Sequence, residues 1–160
     1  MEPLRIEISI EAPFDLVWRA WTEPDRITSW FAPEANVEAK PGGAFELFFG
    51  PADYSQECTR GCVFTAVEPM RRLGFTWKGP SQFADLMNDI EPLTSVYVTF
   101  HEGNGVTRVV VVHNGWGDGE EWTEAREWHR RAWKGVLVSL RSTLESREGK
   151  PCCKPTGETK

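Results

Sequence analysis

Apolar and polar residues alternate without a break from Leu4 to Glu11, with Leu4, Ile6, Ile8 and Ile10 apolar and Arg5, Glu7, Ser9 and Glu11 polar. A period of two marks a strand with one buried face. Ala12-Pro13 ends it, and a proline suits the first turn of a helix, where its missing N–H costs nothing. Phe14, Val17, Trp18 and Trp21 then recur at helical spacing. Pro24 opens a second short helix carrying Ile27 and Trp30-Phe31, and Pro33 stops it. Strand patterns follow at Ala35–Ala39, Ala44–Phe49, Glu57–Val67, Arg72–Lys78, Ser95–His101 and Val106–His113. Pro41-Gly42-Gly43 is a turn and Gly50–Gln56 a loop. The last two strands form a hairpin around Asn104-Gly105, a pair that takes the positive φ angles of a tight turn. Glu120–Leu144 is the one long helical pattern, with Trp122, Ala125, Trp128-His129, Ala132-Trp133, Val136-Leu137, Leu140 and Leu144 on its apolar stripe.

Consecutive strands usually pair, so this order predicts an antiparallel sheet. Its apolar face has to be covered, and the C-terminal helix is the one element long enough to do so. Periodicity thus predicts an α+β protein: an antiparallel sheet, two short helices after the first strand, and a long C-terminal helix.

Several short blocks stand in a fixed order: Ala12-Pro13, Val17-Trp18-Arg19-Ala20-Trp21-Thr22-Glu23-Pro24, Trp30, Gly42-Gly43, Gly61, Val67-Glu68-Pro69, Leu73-Gly74-Phe75-Thr76-Trp77 and His113-Asn114-Gly115, then the Trp-bearing helix. Their order and spacing resemble the family related to the C-terminal domain of the activator of the Hsp90 ATPase, within the START/Bet v 1-like group. The resemblance covers roughly Glu7 to Leu144. It implies a helix-grip fold, in which a curved sheet wraps the long helix and leaves a cavity between them. On this reading residues 1–146 are a single helix-grip domain and 147–160 a disordered polar tail, since Glu145 onward lacks the apolar residues to order itself. The family commonly has Gly before the helical Trp; Ala132 stands there, which predicts a slightly larger gap between helix and sheet.

A length of 160 residues is enough for a real core, and eight Trp with nine Phe load it with rings that line cavities as readily as they fill them. The formal net charge of −6, with no basic stripe, argues against nucleic acid as a partner. No window has the length or apolarity of a membrane span. Met1-Glu2-Pro3-Leu4 runs straight into the first strand and leaves no room for a signal peptide, so a cytoplasmic protein is expected. Cys58 and Cys62 lie near each other, and Cys152 and Cys153 sit in the polar tail. No second Cys or His pair accompanies them, so no metal site is expected, nor a Cys58–Cys62 disulfide in a reducing compartment.

There is no Gly-x-Ser-x-Gly elbow, phosphate loop or dinucleotide fingerprint, and no cofactor is expected. The histidines are His101 beside the hairpin turn, His113 at a strand end and His129 on the long helix. Glu46, Glu57, Asp85 and Glu121 are the carboxylates nearest the expected cavity rim, and they read as solvated surface charges. No catalytic constellation emerges. Aromatic residues on the segments around the sheet–helix space form the stronger signal: Trp30, Phe31, Phe45, Phe48, Phe64, Phe75, Trp77, Trp116 and Trp128, with His113 as a polar group at the mouth. In the family pattern that the sequence resembles, Phe75 and Trp77 alternate inward with Leu73, which makes Trp77 the first choice. Gly79–Pro92 is a long connection with Phe83, Leu86 and Met87 at one-turn spacing, which predicts a short amphipathic helix acting as a lid.

An apolar or aromatic small molecule is the expected partner, bound to a monomer or homodimer. The alternative is a cofactor-independent cyclase or hydrolase using the same cavity. A co-chaperone contact with an Hsp90-type ATPase ranks last, because the activators that make it carry a further N-terminal domain.

Overall fold

The computed structural model describes residues 1–49 and 58–145; the loop read at Gly50–Gln56, Glu57 and the polar tail lie outside the described residues. The elements run β1 (Leu4–Ile10), α1 (Phe14–Thr22), α2 (Pro24–Ile27), β2 (Glu34–Val37), β3 (Phe45–Phe48), β4 (Phe64–Glu68) and β5 (Arg72–Trp77). A 3-10 turn at Ser81–Phe83 leads into α3 (Ala84–Met87), then β6 (Thr94–Gly103), β7 (Val106–Asn114) and α4 (Glu120–Glu145). Five strands form one antiparallel sheet in the order β1-β7-β6-β5-β4, and β2-β3 is a separate ribbon. A bridge between Ala44 and Val63 joins that ribbon to the start of β4.

Pairing register explains how the sheet presents its apolar face. Leu4 opposes His113, His113 opposes Val96, Val96 opposes Phe75 and Phe75 opposes Phe64. Directly paired residues share a face, so these five form one inward row across the sheet. The β6–β7 turn has Asn104 and Gly105 at φ 55° and 78°, the positive pair that the Asn-Gly sequence predicts. Helix α4 covers the row. Ala125, His129, Trp133, Leu137, Leu140 and Leu144 are buried, at spacings of four and three residues. Helices α1 and α2, with the turn after α2, close one end through Trp21, Ile27 and Trp30. This is the helix-grip α+β fold.

The strand expected to run unbroken from Glu57 to Val67 is instead interrupted. Residues 59–62 turn, with Gly61 at φ +91°, and β4 begins at Phe64. Buried Thr59 replaces the missing ladder. Its Oγ1 accepts from the Leu47 N–H at 2.8 Å and donates to the Phe45 carbonyl at 3.0 Å. A threonine side chain can stand in for a backbone partner in this way, so apolar content on either side gives no hint of the break.

Candidate functional site

The pocket forms where β5 ends against the middle of α4. Trp77 is the last residue of β5 and points inward, as its alternation with Phe75 and Leu73 requires. Helix α4 offers two adjacent stripes. The buried stripe, containing His129 and Trp133, grips the sheet; a half-buried one, Trp128, Ala132 and Val136 at four-residue spacing, lies beside it. Between β5, α4 and the Phe31 turn is a cavity of about 370 Å³. Trp77, Trp133 and Phe31 form its floor, with ring centroids 5.3 to 6.1 Å apart. Trp128, Ala132 and Val136 line the helix side, Gly79-Pro80 and Phe49 the rim, and Cys58 and Lys78 one end.

A buried indole N–H is stabilised by an acceptor, and two histidines supply one each to Trp77 and Trp133. Trp77 Nε1–H donates to His129 Nε2 at 3.2 Å, and Trp133 Nε1–H donates to His113 Nδ1 at 3.1 Å. An indole nitrogen only donates, so each receiving imidazole nitrogen carries no proton. The proton of His129 therefore sits on Nδ1 and is donated to the Ala125 carbonyl at 2.8 Å. That of His113 sits on Nε2 and is donated to Thr94 Oγ1 at 3.0 Å. The two imidazoles lie 5.3 Å apart. Burial holds His113 neutral to well below the usual histidine range, with the neighbouring His129 adding to the effect. Burial likewise pushes His129 down to about 4, against a small opposing contribution from the Ala125 carbonyl. Both rings have both nitrogens engaged, and both act as polar supports for tryptophan.

Of the residues expected in the cavity, Phe31, Trp77 and Trp128 line it. The others stand elsewhere. Phe64 and Phe75 are sealed with Phe45 in an aromatic cluster. Phe48 points away from buried Phe45 and Leu47, and the Arg60 guanidinium lies over its ring. Trp30 is a structural tie: its indole donates to the Ala20 carbonyl and its own carbonyl accepts from Ser139. Trp116 packs on His113 at 4.3 Å and donates to its carbonyl, behind the pocket. His113 is a fully buried support and does not reach a mouth. Trp133, Phe49 and Val136 went unselected in the sequence; for Val136 the available signal was the second helical stripe, and for Trp133 its place on the buried one. In the 79–92 segment, Phe83 rests edge-on against Trp128 at 6.0 Å and Leu86 is half-buried. Met87 is fully buried, with its sulfur so near Gly79 that a side chain there would have to displace it. Asn88 brackets the segment by accepting from the Gly79 N–H and donating to the Gly79 carbonyl.

The rim carboxylates also sort themselves. Glu46 accepts from the Gly61 N–H at 2.8 Å and from Asn36, and the Gly61 bond is the largest influence lowering its pKa. It braces the turn that interrupts the expected strand. Asp85 and Glu121 are exposed, and so is His101. Cys58 and Cys62 are buried and joined in no disulfide, and burial pushes Cys62 up to about 11. No cluster of metal-binding side chains occurs among the described residues, and no described helix is long and apolar enough to cross a membrane.

A curved antiparallel sheet gripping one long helix, with an aromatic pocket between them, defines a START/Bet v 1-like protein. The chain belongs to the activator of Hsp90 ATPase homolog 1-like family, whose model matches residues 11–145. Among solved structures it is similar to DynU16, a protein of the dynemicin biosynthetic locus, at 26% identity and a TM-score of 0.72. That match covers 95% of this chain and 49% of DynU16, so the chain spans about half of that protein's length. It is also similar to BH1534 from Bacillus halodurans, at 25% identity and a TM-score of 0.69, over 90% of this chain and 97% of that one. The Aha1 dimer from Colwellia psychrerythraea shares the fold, at 17% identity and a TM-score of 0.70, over 93% of this chain and 100% of that one. No curated protein matches the chain in sequence.

Proposed function

We propose that this protein binds an apolar or aromatic small molecule in the pocket between Trp77 and α4. The observation that carries the reading is the lining: three tryptophans, two phenylalanines and a valine around about 370 Å³. That volume lies at the lower end of the roughly 300–1,000 Å³ typical of small-molecule sites. Binding without acid–base chemistry is supported by His129, the imidazole on the pocket wall, because both its nitrogens are already committed. In this reading Phe83 and Leu86 are the mobile edge of a lid over Trp128, and Met87 with Asn88 is its anchor.

The test is a titration with the fluorescent apolar probe N-phenyl-1-naphthylamine. The wild-type protein should bind one probe per chain saturably. Val136→Trp, which puts an indole into the pocket from a half-buried helix position, should abolish that binding while the far-ultraviolet circular dichroism is preserved. Saturable binding that survives Val136→Trp would place the ligand elsewhere, and no binding to the wild type would sink the reading.

A further inference from the structure

The apolar pocket has a polar neighbour. A second cavity of about 420 Å³ is lined by Arg60, Ser81, Asp85, Asn88 and Asp89, among others. Two residues, Cys58 and Lys78, line both cavities. Among the described residues that line the apolar pocket, Lys78 is the one Lys, Arg, Asp or Glu, and it also borders the polar cavity. Its ammonium is positioned: it donates to the Arg60 carbonyl at 2.7 Å, and an added Cβ at Gly61 would lie 3.5 Å from it. An ammonium has three donors, and this bond uses one. Neither Lys78 nor Arg60 takes part in an ion pair among the described residues. Glu46 is near enough to feel both cations, its oxygens accept from Gly61 and Asn36, and it forms no ion pair with either cation. Asp85 and Asp89 line only the outer cavity and are exposed.

We infer that the ligand is an anionic amphiphile, its aromatic or aliphatic body in the Trp77 pocket and a single carboxylate-like head group on the Lys78 ammonium. This rests on the pocket reading above and narrows it to one ligand class. A charge-assisted hydrogen bond at the edge of an apolar cavity is stronger than one in open water, because water screens it less. A cationic head would meet Lys78 first and be repelled. A head bearing a second negative charge would extend toward Asp85 and Asp89, so the site favours a compact monoanion.

Two probes with the same aromatic body separate the two claims. N-Phenyl-1-naphthylamine is neutral, and 1-anilinonaphthalene-8-sulfonate carries one anionic group. The readout is the ratio of their affinities. Lys78→Gln should lower the ratio of anionic to neutral affinity by about tenfold, the size of one lost charge-assisted hydrogen bond. Lys78→Arg, which keeps the charge, should restore most of it. Should Lys78→Gln fail to fold, the wild-type protein supplies a second arm. Raising the salt concentration should weaken the sulfonate and leave the neutral probe in place, since screening acts on the charged pair. A ratio that Lys78→Gln leaves within twofold, or that salt does not move, overturns the anionic head and leaves the apolar pocket standing. Failure of both probes to bind the wild type overturns both readings.

Discussion

The two ends of the interior are both built of aromatic rings, yet one is closed and the other hollow. At the closed end Phe45 stacks on Phe75 at 3.9 Å, with Phe64 edge-on to both, and all three are at most 1% exposed. At the hollow end Trp77 and Trp133 stand 5.3 Å apart and tilted by 43°, beside a cavity of about 370 Å³. We attribute the difference to the indole N–H. A phenylalanine ring carries no polar atom and settles wherever dispersion contacts are densest. A buried tryptophan usually aims its N–H at an acceptor, as Trp77 and Trp133 do. Here His129 and His113 set those directions, so the ring planes follow hydrogen bonds as well as close packing, and space remains beside them.

Substitutions should separate the two ends, and the largest effect belongs to the closed one. Phe75→Ala should cost about 3–5 kcal/mol in urea unfolding, because a sealed ring leaves a cavity that its neighbours cannot fill. Val136→Ala, on the half-buried pocket wall, should cost less than about 1 kcal/mol while weakening probe binding. Equal losses at both sites would erase the distinction.

Acid should strike the hollow end next. Both supporting histidines have pKa values depressed below 6.5, so between that value and about 4 the unfolded chain binds more protons than the folded one. Stability is then complete above pH 6.5 and falls as the pH drops, by up to about 1.4 kcal/mol per pH unit for each histidine. Urea unfolding at pH 7, 6 and 5 measures the slope. His129→Leu should roughly halve it, and a flat profile would mean that neither ring is held neutral. At constant neutral pH, His113→Phe should cost about 1–3 kcal/mol, the penalty for stranding the Trp133 N–H without an acceptor. Replacing Trp133 with Phe in the same background should recover part of that loss.

The smallest expected effect concerns the lid. Hydrogen exchange of residues 79–92 should slow when the neutral probe is added, with Phe83 and Leu86 responding more than the anchored Met87. Identical exchange with and without probe would make the segment a fixed wall.

Most of the architecture was legible from residue spacing. The alternation of Leu4 to Ile10, the Asn104-Gly105 turn and the stripe from Ala125 to Leu144 each specify their element locally. The break before Phe64 was not legible, because it depends on the Thr59 hydroxyl meeting the backbone of β3 from a different strand. The site was half legible for a related reason. Inward positions on a strand look alike in sequence, so Phe75 and Trp77 read the same, although one is sealed and the other lines the cavity. What separates them is their neighbours, because Phe45 and Phe64 seal Phe75 while Trp77 meets His129 of α4 beside the cavity, and those neighbours come together only in the assembled fold. The helix held the missing information: Trp128, Ala132 and Val136 form a second stripe beside the buried one, and an amphipathic helix with an apolar face wider than its contact with the sheet has another surface to cover.

The most direct measurement of the central claim is a two-dimensional nitrogen–proton correlation spectrum recorded through a titration with N-phenyl-1-naphthylamine. The indole N–H signals of Trp77, Trp128 and Trp133 should move together and saturate at one probe per chain, while the backbone amides of Phe45, Phe64 and Phe75 stay in place. Shifts centred on the phenylalanine cluster, or indole signals that do not move at saturation, would contradict the division of the interior into a closed end and a binding end.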